Sequence, residues 1–318
     1  MKRLLLAVLA CACALASEAW ASCGAAFCMV NTSWNTQGVW TEPGVRFDLR
    51  FEYLDQDQPM AGDSKVGVGE ISQHHDEVRT INRNWLATVD YAFNADWGLS
   101  ATLPLIDRDH THIHNHRGAQ LTESWSFREI GDARVLGRRQ WRSENAAAER
   151  LDSYGVNLGL KLPTGKRDVT NGDGAIAERS LQPGSGTTDL LVGGFFSRTL
   201  GSGSSWFADA LVQSPLDMRD NYEPGARASV DLGYRREFGA ALAGMLQLNL
   251  LFKDRDKGSQ AEPANSGGTF VYVSPGVGYL VGKSVQVYGF VQLPLYQYVN
   301  GVQLVADWAL AAGVSTRF

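Results

Sequence analysis

From Val302 to Phe318 the chain changes character at every second residue. Val302, Leu304, Ala306, Trp308, Leu310, Ala312, Val314, Thr316 and Phe318 alternate with Gln303, Val305, Asp307, Ala309, Ala311, Gly313, Ser315 and Arg317. A helix cannot separate such a set onto two faces, whereas a β-strand does so automatically. The first clear strand shows the same pattern. In "VRFDLRFEY", Val45, Phe47, Leu49, Phe51 and Tyr53 oppose Arg46, Asp48, Arg50 and Glu52. Further alternating segments of about ten residues follow, for example Tyr154–Leu162, with others centred near Gly193, Ala210, Leu232, Leu248, Gly276 and Phe290. Twelve strands are predicted. The segment from Trp125 to Arg142 is mostly polar, and "SENAAAERLD" is the one short candidate for a helix.

Two architectures satisfy such strands. A soluble sandwich turns the apolar face to a core, while a membrane barrel turns it to lipid and the polar face to the lumen. A propeller would need a blade-like repeat, and none is present. The links decide for the barrel. "NADW", "GSGSS", "FGAA" and "VGKS" are short, whereas Leu54–Asp76, Asp107–Glu123, Thr164–Gly186, Asp217–Gly225 and Lys253–Gly268 are long and polar. Only the link at Arg142–Asp152 is long on the wrong side. Alternating short and long links are those of tight periplasmic turns and long extracellular loops. The expected fold is therefore all-β: a transmembrane antiparallel β-barrel of about 12 strands, with Trp and Tyr near the strand ends as interface girdles.

"MKRLLLAVLACACALASEAWA" reads as a cleaved signal peptide over residues 1–21, its apolar run being too short to span a membrane. Without Lys2, Arg3 and Glu18, 27 basic and 33 acidic residues remain from 29 and 34, so the mature chain offers no case for nucleic acid. Residues 22–43 are read as a periplasmic N-terminal segment or plug, and 44–318 as the barrel. Cys23 and Cys28 are expected to form a local disulfide, with a two-thiolate metal clip as the alternative. A terminal Phe318 on an alternating strand resembles the signal that bacterial outer-membrane barrels present to their assembly machinery.

"LGLKLPTGKRD" (Leu158–Asp168) followed by "LQPGSGTTDLLVGGFFSRTL" (Leu181–Leu200) resembles the outer-membrane proteins grouped as MetA-pathway phenol-degradation or transporter proteins. The resemblance implies a barrel in the outer membrane of a Gram-negative cell and a transport role. The chain departs from that family in its histidines and in a charged lumen. The motif residues themselves read first as a stiff hairpin rim: Pro163 and Gly165 stop one strand, and Pro183, Gly184 and Gly186 shape entry to the next.

The residues placed inward include Arg46, Asp48, Arg50, Glu52, Asn82, Asn84, Asp90, Asp307 and Arg317. They form either a structural network or a polar constriction for a small hydrophilic solute, since buried charge persists when paired or wetted. All six histidines lie in two stretches, His74–His75 in "SQHHDEV" and His110, His112, His114 and His116 in "DRDHTHIHNHRG". Both fall in links after odd strands, so the topology brings them to one extracellular rim. There they form a solvated polar loop or a site for Cu, Zn or Ni, with Asp76, Glu77, Asp107 and Asp109 available to complete or orient it. The expected function is an outer-membrane channel for a small solute, not an enzyme. The alternatives are transition-metal binding or uptake at the histidine rim, and, less favoured, a surface hydrolase, for which no facing catalytic partner is visible.

Overall fold

The computed structural model describes residues 43–318 apart from 117–118, 146–149 and 202. The signal-peptide reading, the Ser22–Glu42 part of the N-terminal segment, and Cys23 and Cys28 lie outside the described residues.

The strands are β1 (Gly44–Gln56), β2 (Gln58–Gly62), β3 (Ser64–Lys65), β4 (His75–Ala92), β5 (Trp97–His116), β6 (Ala119–Ile130), β7 (Arg134–Asn145), β8 (Arg150–Lys161), β9 (Asp189–Leu200), β10 (Ser204–Pro215), β11 (Arg227–Phe238), β12 (Leu242–Lys253), β13 (Gly268–Val281), β14 (Val285–Val305) and β15 (Ala309–Arg317). Twelve of them form one closed antiparallel barrel, sealed where β1 meets β15 from Arg46↔Arg317 to Leu54↔Ala309. Closure gives every strand two partners, which a chain surrounded by lipid requires because no water is there to take its backbone groups. The remaining three strands are upper extensions. β2 and β3 prolong β1 beside the end of β14, and β6 forms a tall hairpin with the upper half of β5 before β7 takes over lower down.

The outer face carries the apolar positions. Trp85, Val89 and Tyr91 on β4, Leu99 and Leu103 on β5, and Val156, Leu158 and Leu160 on β8 are exposed. Aromatic pairs ring both ends, with Phe51–Trp85 and Tyr53–Trp308 above and Trp141–Tyr154 and Phe196–Trp206 below. Above Trp85 and Leu105 the outer face becomes charged: Arg79 pairs with Asp55, Arg83 with Asp107 and Asp109, and Arg128 with Asp107. That switch from apolar to ion-paired marks where the lipid ends. The upper halves of β4, β5 and β6 therefore stand outside the membrane.

Four sequence expectations change. The supposed loops Leu54–Asp76 and Asp107–Glu123 are largely strand, because Asp107–His116 itself alternates. No helix occurs among the described residues; "SENAAAERLD" gives the end of β7 and the start of β8. The long link at Arg142–Asp152 shrinks accordingly, to the residues between Asn145 and Arg150. Asp307 is not lumenal: it lies in the bend before β15, exposed, and meets Lys65 at 2.8 Å.

Candidate functional site

The lumen is lined as expected by charge. Arg46 bonds Asp48 at 3.1 Å and Asp90 at 3.3 Å, Arg50 pairs with Glu52 at 2.7 Å, and Tyr288 Oη donates to both oxygens of Asp48 at 3.1 Å. Asn84 is buried in the same wall, and Arg317 lies in register with Arg46 at the end of the barrel away from the histidines. Asn82 sits higher, donating to Gln56 and accepting from Arg108 Nε at 2.7 Å. A cavity of about 560 Å³ runs through this polar region, and Arg and Lys outnumber Asp and Glu along its lining.

Above the cavity the link from Leu162 to Thr188 folds inward. Its base is held by a buried knot. Lys161 lies 3.1 Å from Asp132 and 3.0 Å from Asp189, while Asp132 accepts from the backbone N–H of Gly165 (3.0 Å) and of Ser185 (2.9 Å). The two halves of the Pro-Thr-Gly and Pro-Gly-Ser-Gly motif cross here. Gly165 and Gly184 touch backbone to backbone, and a Cβ on Gly184 would stand 2.5 Å from the Gly165 carbonyl oxygen. Further in, Trp125 Nε1 donates to the Ala175 carbonyl at 3.0 Å and Arg108 Nη1 to the Leu181 carbonyl at 2.6 Å, and Leu181 packs with Trp125 and Leu304.

This inward link meets the histidines. Beyond the membrane the even residues of β5 point inward, so His110, His112 and His114 share one interior face with Thr80, Glu77 and His75 directly across on β4. A β-bulge between Glu77 and Arg79 makes that possible: it switches the parity of β4. Without it His75 and Glu77 would face out while Thr80 and Asn82 faced in. On the other side Trp125 and Glu123 of β6 lie opposite His110 and His112.

Five imidazoles form a continuous string. Ring centroids are 4.4 Å apart for His74–His75 and for the stacked His75–His112, 4.5 Å for His74–His114, and 5.2 Å for His110–His112. His75, His110 and His112 are at most 2% exposed. His116 lies at the end of β5, with its side chain outside the described residues. The expectation of a rim of loop histidines is thus corrected: His75, His110, His112 and His114 are strand-borne and turned into the interior, and only His74 stays in the bend before β4. Carboxylates enclose them, with Glu178 of the inward link 2.9 Å from His75 Nδ1, Glu123 3.1 Å from His112 Nε2 and Glu77 3.6 Å from His110 Nε2. Burial holds the His110 imidazolium well below its usual range. Burial and the neighbouring His75 push His112 down to about 4, while burial and then Glu123 raise Glu178 well above the carboxylate range.

Of the acidic residues expected to help, Glu77 reaches the rings. Asp107 and Asp109 face outward to arginines, and Asp76 accepts from Asn115 Nδ2 at 2.6 Å. Glu123 and Glu178 were not anticipated. Parity on β6 could have flagged Glu123; nothing in the sequence flags Glu178.

No protein-family model matches the chain, and no curated protein matches its sequence. Among solved structures the fold is similar to that of the COG4313 outer membrane channel from Pseudomonas putida F1, at 12% identity over 91% of this chain and 100% of that one, with a TM-score of 0.66. Weaker likenesses are to the NanC porin (9% identity, 86% and 100% covered, TM-score 0.46) and the CymD monoaromatic hydrocarbon channel (10%, 93% and 94%, 0.43). The chain thus has the fold of an outer-membrane β-barrel.

Proposed function

We propose that the protein is an outer-membrane channel that passes a small hydrophilic solute and is not an enzyme. The observation that carries this reading is the cavity of about 560 Å³ inside a closed barrel, walled by ion pairs such as Arg46–Asp90 and Arg50–Glu52. Charges of both signs at this depth keep water in the passage, which an apolar solute would have to displace. The slight cationic excess favours small anions over cations. A surface hydrolase is disfavoured because His75, His110 and His112 are buried and are hydrogen-bonded or ion-paired to Glu178, Thr80 and Glu123. The resemblance to the MetA-pathway grouping rests on the two motifs that tie down the inward link, so its substrate label is not carried over. Residues 1–21 would direct export, residues 22–43 would start in the periplasm, and Phe318 would engage the assembly machinery.

Planar-bilayer recording on the refolded full chain, with liposome swelling for uncharged solutes, tests the reading. Discrete conductance steps with a reversal potential favouring anions are expected. A barrel that is folded by heat-modifiable mobility yet neither conducts nor admits any solute would overturn it.

A further inference from the structure

The histidine cluster lies above the lumenal passage, and its ring nitrogens are arranged in a way that passage does not require. His110 uses Nδ1 to meet Thr80 Oγ1 at 3.0 Å, which leaves Nε2 pointing at His112. His112 in turn uses Nε2 to meet Glu123 at 3.1 Å, leaving Nδ1. These two nitrogens face each other at 3.2 Å, and Glu77 Oε2 stands 3.6 Å from His110 Nε2. Tetrahedral ligands bonded to Zn at about 2.0–2.1 Å stand about 3.3 Å from one another. Two of the three separations are therefore close to the edge of such a shell and the three donors gather within 4.8 Å of one another, and each ring is locked from behind by a hydrogen-bond partner, as ligating imidazoles are.

A further acidic donor lies in the adjoining set. Glu178 Oε1, on the inward link, lies 4.0 Å from His112 Nδ1 and 2.9 Å from His75 Nδ1. Two neutral imidazoles and the Glu77 carboxylate would offset half the charge of a dication and leave one position for water, in a site where Glu77, His110 and His112 are at most 3% exposed. There is also a way in. Three sets of donors, His74–His75–His114, His75–His112–Glu178 and Glu77–His110–His112, each gather within 4.8 Å and overlap in sequence from the half-buried His74 and His114 to the fully buried His110. An ion handed along them never has to be stripped of all its ligands at once.

We propose that Glu77, His110 and His112 bind a transition-metal dication of the Zn(II) or Cu(II) type, reached through His74, His75 and His114, with Glu178 in the adjoining donor set. Mixed imidazole and carboxylate donors suit these ions and disfavour Ca(II) and Mg(II), which take oxygen. Glu178 belongs to the link over the cavity, so His112 stands between the bound ion and that link.

The test uses the full chain refolded in detergent and stripped with EDTA. Calorimetry with Zn(II) is expected to give one tight site per chain, and Co(II) to give the intense visible bands of a four-coordinate ion with nitrogen ligands. His110→Asn/His112→Gln should weaken Zn(II) binding more than 100-fold, while Thr80→Val and Glu123→Gln, which alter only the supports, should weaken it by roughly 10- to 100-fold. Tight binding that survives the double substitution, Co(II) bands of an octahedral aqua-like ion, or affinity weaker than millimolar in the wild type would each overturn the proposal. The Co(II) measurement needs no variant, so a misfolded substitution leaves the test intact. Conductance plays no part in these readouts, which keeps this proposal separable from the channel reading.

Discussion

Removing the Asp132 carboxylate should release the link that lies over the cavity. Asp132 is 9% exposed and serves four groups: Lys161 Nζ at 3.1 Å, the N–H of Gly165 at 3.0 Å, the N–H of Ser185 at 2.9 Å and Ser185 Oγ at 2.9 Å. The two backbone donors come from opposite ends of the link, so one side chain clamps its entry to its exit. Breaking a buried ion pair costs about 3–5 kcal/mol when it strands the partner charge. Here Asp189 stays 3.0 Å from Lys161, so the ammonium keeps a partner and the lower end, about 3 kcal/mol, applies to Asp132→Ala. Loss of charged acceptors for two N–H groups, at about 1.5 kcal/mol each, gives the same figure.

At about 1.4 kcal/mol per factor of ten, the base of the link should open about 100 times more often. Lys166, Arg167 and Arg179 lie within it and become trypsin sites on opening. Cleavage follows the open population while reclosing is fast, so the initial rate should rise about 100-fold over wild type, with Asp132→Asn intermediate. Lys161→Met should also loosen the link, because it leaves Asp132 and Asp189 buried together. The double variant should then fall short of the sum of the two single effects. An Asp132→Ala barrel with unchanged heat-modifiable mobility and a wild-type cleavage rate would refute the clamp.

Gly184→Ala puts a methyl group 2.5 Å from the Gly165 carbonyl oxygen and should cost about 1–3 kcal/mol of overpacking, read as a lowered urea midpoint for unfolding. In metal-free protein, His112 has its pKa held at about 4, below the 6.5 of the unfolded chain; its contribution is full above pH 6.5 and is lost as pH falls toward 4, up to about 3 kcal/mol. Glu178, raised by burial, works in the opposite sense, so the comparison to make is wild type against His112→Gln. The wild type should lose more of its urea midpoint between pH 6.5 and 4 than the variant, and parallel pH curves would remove His112 as the cause. Arg138→Gln, on the cavity wall, should move the reversal potential in a KCl gradient toward cations. Deleting Val78, the extra residue of the bulge, should leave a regular strand with Glu77 still opposite His112 and so preserve high-affinity Zn(II) binding; loss of that binding in a folded barrel would refute the assigned register.

The membrane-spanning part of the fold was legible because lipid outside and water inside give every strand the strongest binary contrast a sequence can carry. That contrast fades above Trp85 and Leu105. There the outward residues of β5 are Asp107, Asp109 and Thr111, as polar as the inward histidines, so a strand looked like a loop although its period of two was intact. Asp307 was misplaced for a related reason, since the bend at 306–308 breaks the parity extrapolated across it. Glu178 was beyond reach altogether. It sits in a link with no periodicity, and its position is set by tertiary bonds such as Trp125–Ala175 and Arg108–Leu181.

The same loss of contrast explains why a polar cluster can exist at that height. Within the membrane an inward residue competes with water for the passage and an outward one must be apolar. Above it, both faces of the β4–β5–β6 sheet are free to be polar, and the ion pairs of Arg79, Arg83 and Arg128 on the outer face leave the inner face to the histidines. One extra residue at the bulge then brings two sets of donors of opposite parity onto that inner face. The sheet alone supplies Glu77, His110 and His112, whereas Glu178 arrives only when the inward link is docked. An ion at the sheet donors and the docked link would meet at His112, which Glu178 approaches at 4.0 Å, so each is expected to shift the other by the same factor.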